Sequence, residues 1–333
     1  MRSLINWFFS PTFDRYMMSD HDLSNVADLI LTKYKSNNDQ PLIKSKKIIE
    51  LNVPFVKKEI YKESKFLHPI SNLIEFLSNE KNLYIKHFLI HGSLRDMEYV
   101  PGWSDLDTWV IVSDQVFHKK NRLLELKKIF IELNKFLLEV DPIAHHGFIL
   151  LLESDLTNYD ESILPIQVLK RAGSLIQNDV IKINISENSL KKSRRFTDMK
   201  ILFDMFNKTG EFHHHPYMGR YLTKDSLFNN EGMYQLKYLI SLVMSVPVLY
   251  FTEIGKPVYK SESFESFSRI FPDYVDIINI FSEIRKCWGN HENHPYIPNK
   301  IPEWLTKKIP ENFIEQIILL LTMIEKDLNE QKH

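Results

Sequence analysis

The sequence predicts an α+β fold, a small sheet-containing core with flanking helices followed by a C-terminal helical bundle. Three observations carry that prediction. Short apolar runs bounded by turn signals, at Phe88–Ile90, Trp109–Val112 and within Pro142–Glu153, read as core strands. Between the second and third, Leu123, Leu124, Leu126, Ile129, Phe130, Leu133, Phe136 and Leu137 recur at helical spacing over residues 122–140 and supply a crossover helix. Beyond residue 187 nearly every periodic stretch is helical: Met199–Phe206, Tyr234–Leu249, Tyr274–Cys287 and Phe313–Leu328. The chain therefore divides into a helical preface packed on the core (1–60), the core (61–187) and a helical domain (188–333).

In the preface, Leu23, Val26, Leu29 and Ile30 lie on one helical face behind Asp20 and Asp22 as candidate caps, and Asn37-Asn38-Asp39-Gln40-Pro41 breaks the pattern. Pro69–Asn79 carries Leu73, Ile74 and Leu77 on one face and reads as the helix before the first core strand. After the third strand, Asn158–Gly173 reads as a helix ended by its glycine, and Asp179–Ile185 as a short additional strand.

The 333 residues include 42 basic and 43 acidic side chains, a net charge of -1, so there is no overall attraction to a polyanion. That argues against a polymerase or a tRNA enzyme with a long nucleic-acid track. The one cysteine, Cys287, supports neither an internal disulfide nor a thiolate metal site, which fits a reducing cytoplasm. The apolar patch in Met1–Pro11 is too short for a signal segment. The longest apolar run, Tyr238–Phe251, is interrupted by Pro247 and falls short of the roughly 20 residues that span a bilayer. A buried helix and no membrane partner are expected.

The chemistry concentrates in Phe88–Val112, FLIHGSLRDMEYVPGWSDLDTWVIV. Gly92 after a buried strand lets the backbone turn and approach a ligand, and Ser93 adds a hydroxyl, so this end reads as an anion cradle. At the other end Asp105 and Asp107 alternate along an extended segment, so both carboxylates leave one face while Leu106 enters the core. Like charges so close are compatible with a divalent cation between them.

Gly92-Ser93 followed by Gly102-Trp103-Ser104-Asp105-Leu106-Asp107 resembles the signature of the polymerase-β-like nucleotidyltransferases, most closely their small-molecule branch with the aminoglycoside nucleotidyltransferases. The resemblance covers about 25 residues. It implies a small mixed sheet flanked by helices, with Asp105 and Asp107 holding Mg²⁺ (two ions) and Gly92 and Ser93 binding the triphosphate tail of an NTP such as ATP. It also implies an active cleft between the sheet and a C-terminal helical domain. Lys260, in the Gly/Pro turn Glu253–Lys260, is similar to a phosphate-holding lysine of related enzymes; the alternative is an ordinary surface lysine.

The family's third strand carries another carboxylate near its start, where this chain has His145-His146-Gly147. The nearest acids, Asp141 and Glu153, stand at opposite ends of the run. His146 is the candidate general base or metal ligand in their place, against the alternative of a histidine satisfied in the core. The groups His213-His214-His215 and His291/His294 lie in loops before prolines, a poor setting for zinc. The expected function is transfer of an NMP from an NTP to a hydroxyl of a small polar acceptor. The alternatives are a catalytically impaired nucleotide-binding regulator of the same fold, and a toxin-like enzyme that modifies RNA or protein.

Overall fold

In the computed structural model of the chain, the described residues are 2–16, 19–37, 45–62, 64–79, 84–142, 147–159, 161, 164–186, 195–213, 221–223, 232–256, 258–289 and 300–331. They form two compact units, Met1–Lys191 and Lys192–His333. The class is mixed α+β, with a small mixed sheet and flanking helices in the first unit.

The first unit runs α1 (Arg2–Phe9), α2 (Pro11–Tyr16), α3 (Asp20–Asn37), β1 (Ser45–Val53), α4 (His68–Asn79), β2 (Ile85–Ile90), α5 (Gly92–Arg95), β3 (Thr108–Val112), α6 (Lys120–Val140), β4 (Ile149–Leu152), α7 (Ile166–Leu169), β5 (Gly173–Ser174) and β6 (Asp179–Ser186). The central sheet has the order β4-β3-β2-β5. β2 is antiparallel to both β3 and β5, whereas β3 and β4 run parallel, as a crossover through α6 requires.

All five residues of β3 are buried, because both faces of the sheet are covered. Phe88, Ile90, Leu106, Val110 and Val112 face the helices, where Phe8, Ile30, Leu73, Leu126 and Phe130 meet them. Leu89, Trp109 and Ile111 face the other way, onto Leu51 and Val53 of β1 and Ile181 and Ile183 of β6. Trp109 stacks edge-on with Tyr159 at 5.6 Å between ring centroids. Burial of each such side chain stabilises by roughly 1.5–3 kcal/mol relative to exposure. The open edge of β4 is covered by α1, whose Asn6 side-chain oxygen accepts the Leu150 N–H at 3.0 Å.

Several expectations are corrected. Ser45–Val53 is a strand inside the stretch read as a helical preface: Ile49, Leu51 and Val53 point inward with period two and pair with β6 over its whole length. The cap of α3 is Ser19, whose hydroxyl accepts the Asp22 N–H at 3.2 Å and donates to the Asp22 carboxylate at 2.7 Å. Asn158–Gly173 is not one helix. Among the described residues of that stretch only Ile166–Leu169 is α-helical, and Gly173 opens β5.

The reason lies in a close approach. Ser174 exchanges backbone bonds with Pro54 and Val56 at 2.9 Å, so β5 is wedged between β2 and the chain leaving β1. A Cβ on Gly173 would stand 2.2 Å from Val56 Cγ2 and 2.6 Å from Arg95 Nε. Gly173→Ala is therefore expected to destabilise the first unit by about 1–3 kcal/mol, seen as a lower urea midpoint with unchanged slope.

The second unit contains α8 (Arg195–Thr209), β7 (Glu211–His213), β8 (Tyr221–Thr223), α9 (Met233–Glu253), α10 (Lys260–Ile270), α11 (Asp276–Gly289), α12 (Glu303–Thr306) and α13 (Phe313–Glu330). The antiparallel pair β7–β8 stands within what the sequence presents as an almost wholly helical pattern. Tyr250 of α9 packs edge-on against Phe267 and Phe271 of the neighbouring segment and donates to Asp327 of α13 at 2.8 Å. Helix α9 continues through Pro247 rather than breaking there. Among the described residues, one helix, Gln235–Glu253, is long and apolar enough to cross a membrane; 61% of that window is buried inside the fold.

Candidate functional site

The site begins where β2 ends. His91 is extended, and Gly92 turns the chain with a φ of 69° into the single helical turn α5. That turn closes with Asp96 N–H on the Gly92 carbonyl at 3.1 Å and Glu98 N–H on the Ser93 carbonyl at 2.8 Å, with Met97 between them in the left-handed region at φ 60°. This is a Schellman closure in which a methionine takes the position usually held by glycine. Beneath it, the Tyr61 hydroxyl lies 3.4 Å from the Leu94 carbonyl. Burial pushes the Tyr61 hydroxyl up to about 12, against the positive charge of Arg95.

The connector is built just as tightly. Val100-Pro101-Gly102-Trp103 forms a type II turn: Trp103 N–H donates to the Val100 carbonyl at 3.0 Å, and Gly102 has φ 69°. The buried Ser104 latches it, its hydroxyl accepting the Val100 N–H at 2.8 Å. Leu106, fully buried, then anchors the extended segment that leads into β3, leaving Asp105 and Asp107 half-buried on the opposite side. The ladder continues one step past β3, with His91 N–H donating to the Asp107 carbonyl at 3.1 Å.

These two ends meet. A Cβ built on Gly92 would lie 2.4 Å from Asp107 Oδ2 and 3.2 Å from its Cγ, so the carboxylate occupies the space that any other residue would fill at position 92. Glycine is required twice here, for its backbone angle and for that volume. Gly92→Ala is expected to destabilise by about 1–3 kcal/mol and to push the Asp107 carboxylate off its position, checked by calorimetry of the purified variant.

Parallel pairing of β3 with β4 aligns Trp109 with Ile149 and Val112 with Leu152. Glu153, one residue past the Val112–Leu152 pair, therefore stands at the far end of the strands, roughly 20 Å along from Asp107 at 3.3 Å per residue, and is corrected as a candidate third carboxylate. Asp141 caps the end of α6, is buried, and precedes β4. Gly147 backs onto Ser10, whose Cβ would be 3.2 Å from a Cβ added there. His146 lies outside the described residues, as do His291, His294 and the basic run 191–194. Among the described residues no set of three or more His, Cys, Asp or Glu side chains gathers as a metal site.

The structure thus brings Gly92 against the Asp107 carboxylate, with Ser93 next to the one and Asp105 two residues before the other. Lys260 opens α10 in the second unit, its carbonyl accepting the Ser263 hydroxyl at 2.6 Å. One residue passed over in the sequence is His91, buried with 6% exposure immediately before Gly92. The signal for it was strand parity: in an antiparallel pair closed by this motif, the residue before the glycine stands across from the second aspartate. No family model, no curated protein and no solved structure matches the chain.

Proposed function

We propose that the protein is a Mg²⁺-dependent nucleotidyltransferase that moves an NMP from an NTP to a hydroxyl of a small polar acceptor. The observation that supports it most is the seating of the Asp107 carboxylate over Gly92, which joins the turn to the second aspartate of the pair. Two half-buried carboxylates suit Mg²⁺, a hard cation that takes one or two protein carboxylates and completes its shell with water and substrate phosphates. Asp105 and Asp107 would hold such a cation, which when bound would supply neutralisation of charge on the attacking and leaving oxygens.

The chain's own residues do the positioning. Asp105 and Asp107 hold the cation, and the buried Leu106 between them keeps the two carboxylates on one face. Gly92 and Ser93 receive the β- and γ-phosphates at the start of α5. The acceptor oxygen bonds to the α-phosphorus, the α–β phosphoanhydride bond breaks, pyrophosphate leaves, and the hydroxyl proton passes to a base, for which His146 is the candidate.

The test is Mg²⁺-dependent release of pyrophosphate from ATP or GTP with a panel of polar acceptors. Release that needs both metal and acceptor supports the reading. Nucleotide binding without release across the panel supports the second reading, a regulatory nucleotide-binding protein, which the placement of Glu153 at the wrong end of β4 favours.

A further inference from the structure

We infer that His91 is the positioning residue of Asp107, its ring holding that carboxylate over Gly92 in the orientation that meets a divalent cation. This role rests on the proposed metal-binding function of the aspartate pair.

The argument starts from register. β2 and β3 pair Leu89 with Trp109 and Ile90 with Thr108. The next step sets His91 opposite Asp107, and the His91 N–H bond to the Asp107 carbonyl extends the ladder to that pair. Side chains alternate along strands, so His91 and Asp107 share the face of Leu89 and Trp109, which lie together in one apolar cluster. Residues directly opposed in an antiparallel pair have Cβ atoms about 4.5–5.5 Å apart, within reach of an imidazole and a carboxylate.

The carboxylate is therefore bounded on two sides. The bare Cα of Gly92 leaves room for it on one, and the cross-strand histidine stands on the other. Leu89 and Trp109, both fully buried, follow on that same face by strand alternation. At 6% exposure an apolar residue would fill the His91 position at no desolvation cost, so a polar ring there calls for a polar task. Such a ring, placed outside the metal's own ligands, commonly orients a ligating carboxylate.

The experiment measures Mn²⁺ affinity of the full chain by electron paramagnetic resonance, for wild type, Asp107→Asn, His91→Leu, His91→Gln and His91→Asn, with thermal melts to confirm folding. Expected are loss of binding in Asp107→Asn and a roughly 10–100-fold weaker affinity in His91→Leu. One of the two amides, the one that places its N–H where the imidazole's stood, is expected to restore most of it. Wild-type affinity in a folded His91→Leu overturns the role, as does equal weakening in Leu, Gln and Asn. Should His91→Leu not fold, equal affinity in the two amide variants overturns it. Absence of Mn²⁺ binding by wild type overturns the metal reading itself and this role with it, a result distinct from failure of His91 alone.

Discussion

Asp107→Asn is expected, on the proposed function, to lower NTP-dependent turnover on the order of a thousandfold or more, while leaving the fold close to wild type. The substitution keeps the shape that fills the space over Gly92 and removes one negative charge from the pair. Positioning and electrostatics supply most of the catalysis in phosphoryl-type transfer, so loss of a metal-holding carboxylate removes about 4 kcal/mol or more of transition-state stabilisation. The backbone bond from His91 N–H to the residue-107 carbonyl survives, as does Leu106 in the core, and surface changes of this kind move stability by about 0.5 kcal/mol. The measurement is pyrophosphate release at saturating Mg²⁺ alongside a thermal melt. Retained turnover with an unchanged melt would remove Asp107 from the mechanism.

The largest stability effect is expected at Asp14. Lys127 of α6 is 1% exposed and forms an ion pair with Asp14 of α2, with its ammonium 4.7 Å from the Phe13 ring centroid and 5.4 Å from that of Phe8. Asp14 retains 22% exposure and also accepts from Asn134 at 2.8 Å. The partners are thus unequal. Asp14→Ala strands a buried ammonium against two phenyl rings and is expected to cost about 3–5 kcal/mol. Lys127→Met leaves a carboxylate that still has Asn134 and solvent, and costs less. Replacing both, Asp14→Leu with Lys127→Met, is expected to fall within about 1 kcal/mol of wild type or above it. Urea unfolding of the four proteins orders them.

Burial holds the Lys127 pKa below the ordinary 10.5, against the pull of Asp14. The unfolded chain therefore keeps this proton to higher pH than the folded one, and stability rises as pH climbs through the folded value toward 10.5. Wild type is expected to gain on Lys127→Met over that range.

Much of the fold was legible because it follows local rules. Helix α6 shows its apolar face at 3.6-residue spacing, and β3 is a short apolar run because both sheet faces are covered. Helix α4 was legible for the same reason as α6. Strand β1 was not: Ser45–Val53 carries Lys46, Lys47 and Glu50 among its apolar residues, and only its partner β6 shows that its period is two. Gly173 read as a helix stop because a glycine after an apolar stretch usually is one; its true cause, the nearness of Val56 and Arg95, is non-local. In the motif, the sequence pointed to Gly92, Ser93, Asp105 and Asp107, but not to what surrounds them.

By itself the sequence determined the α+β class, the order of the turn and the aspartate pair, and the split of Asp105 and Asp107 from Leu106, since each depends on composition and period along a few residues. Only the tertiary structure decided which residues face that pair. The parallel register of β3 and β4 carried Glu153 to the wrong end, and the antiparallel register of β2 and β3 set His91 opposite Asp107. Register is a relation between strands distant in sequence, set by packing on both faces of the sheet, and a single residue of slip would exchange the faces of every side chain in the site.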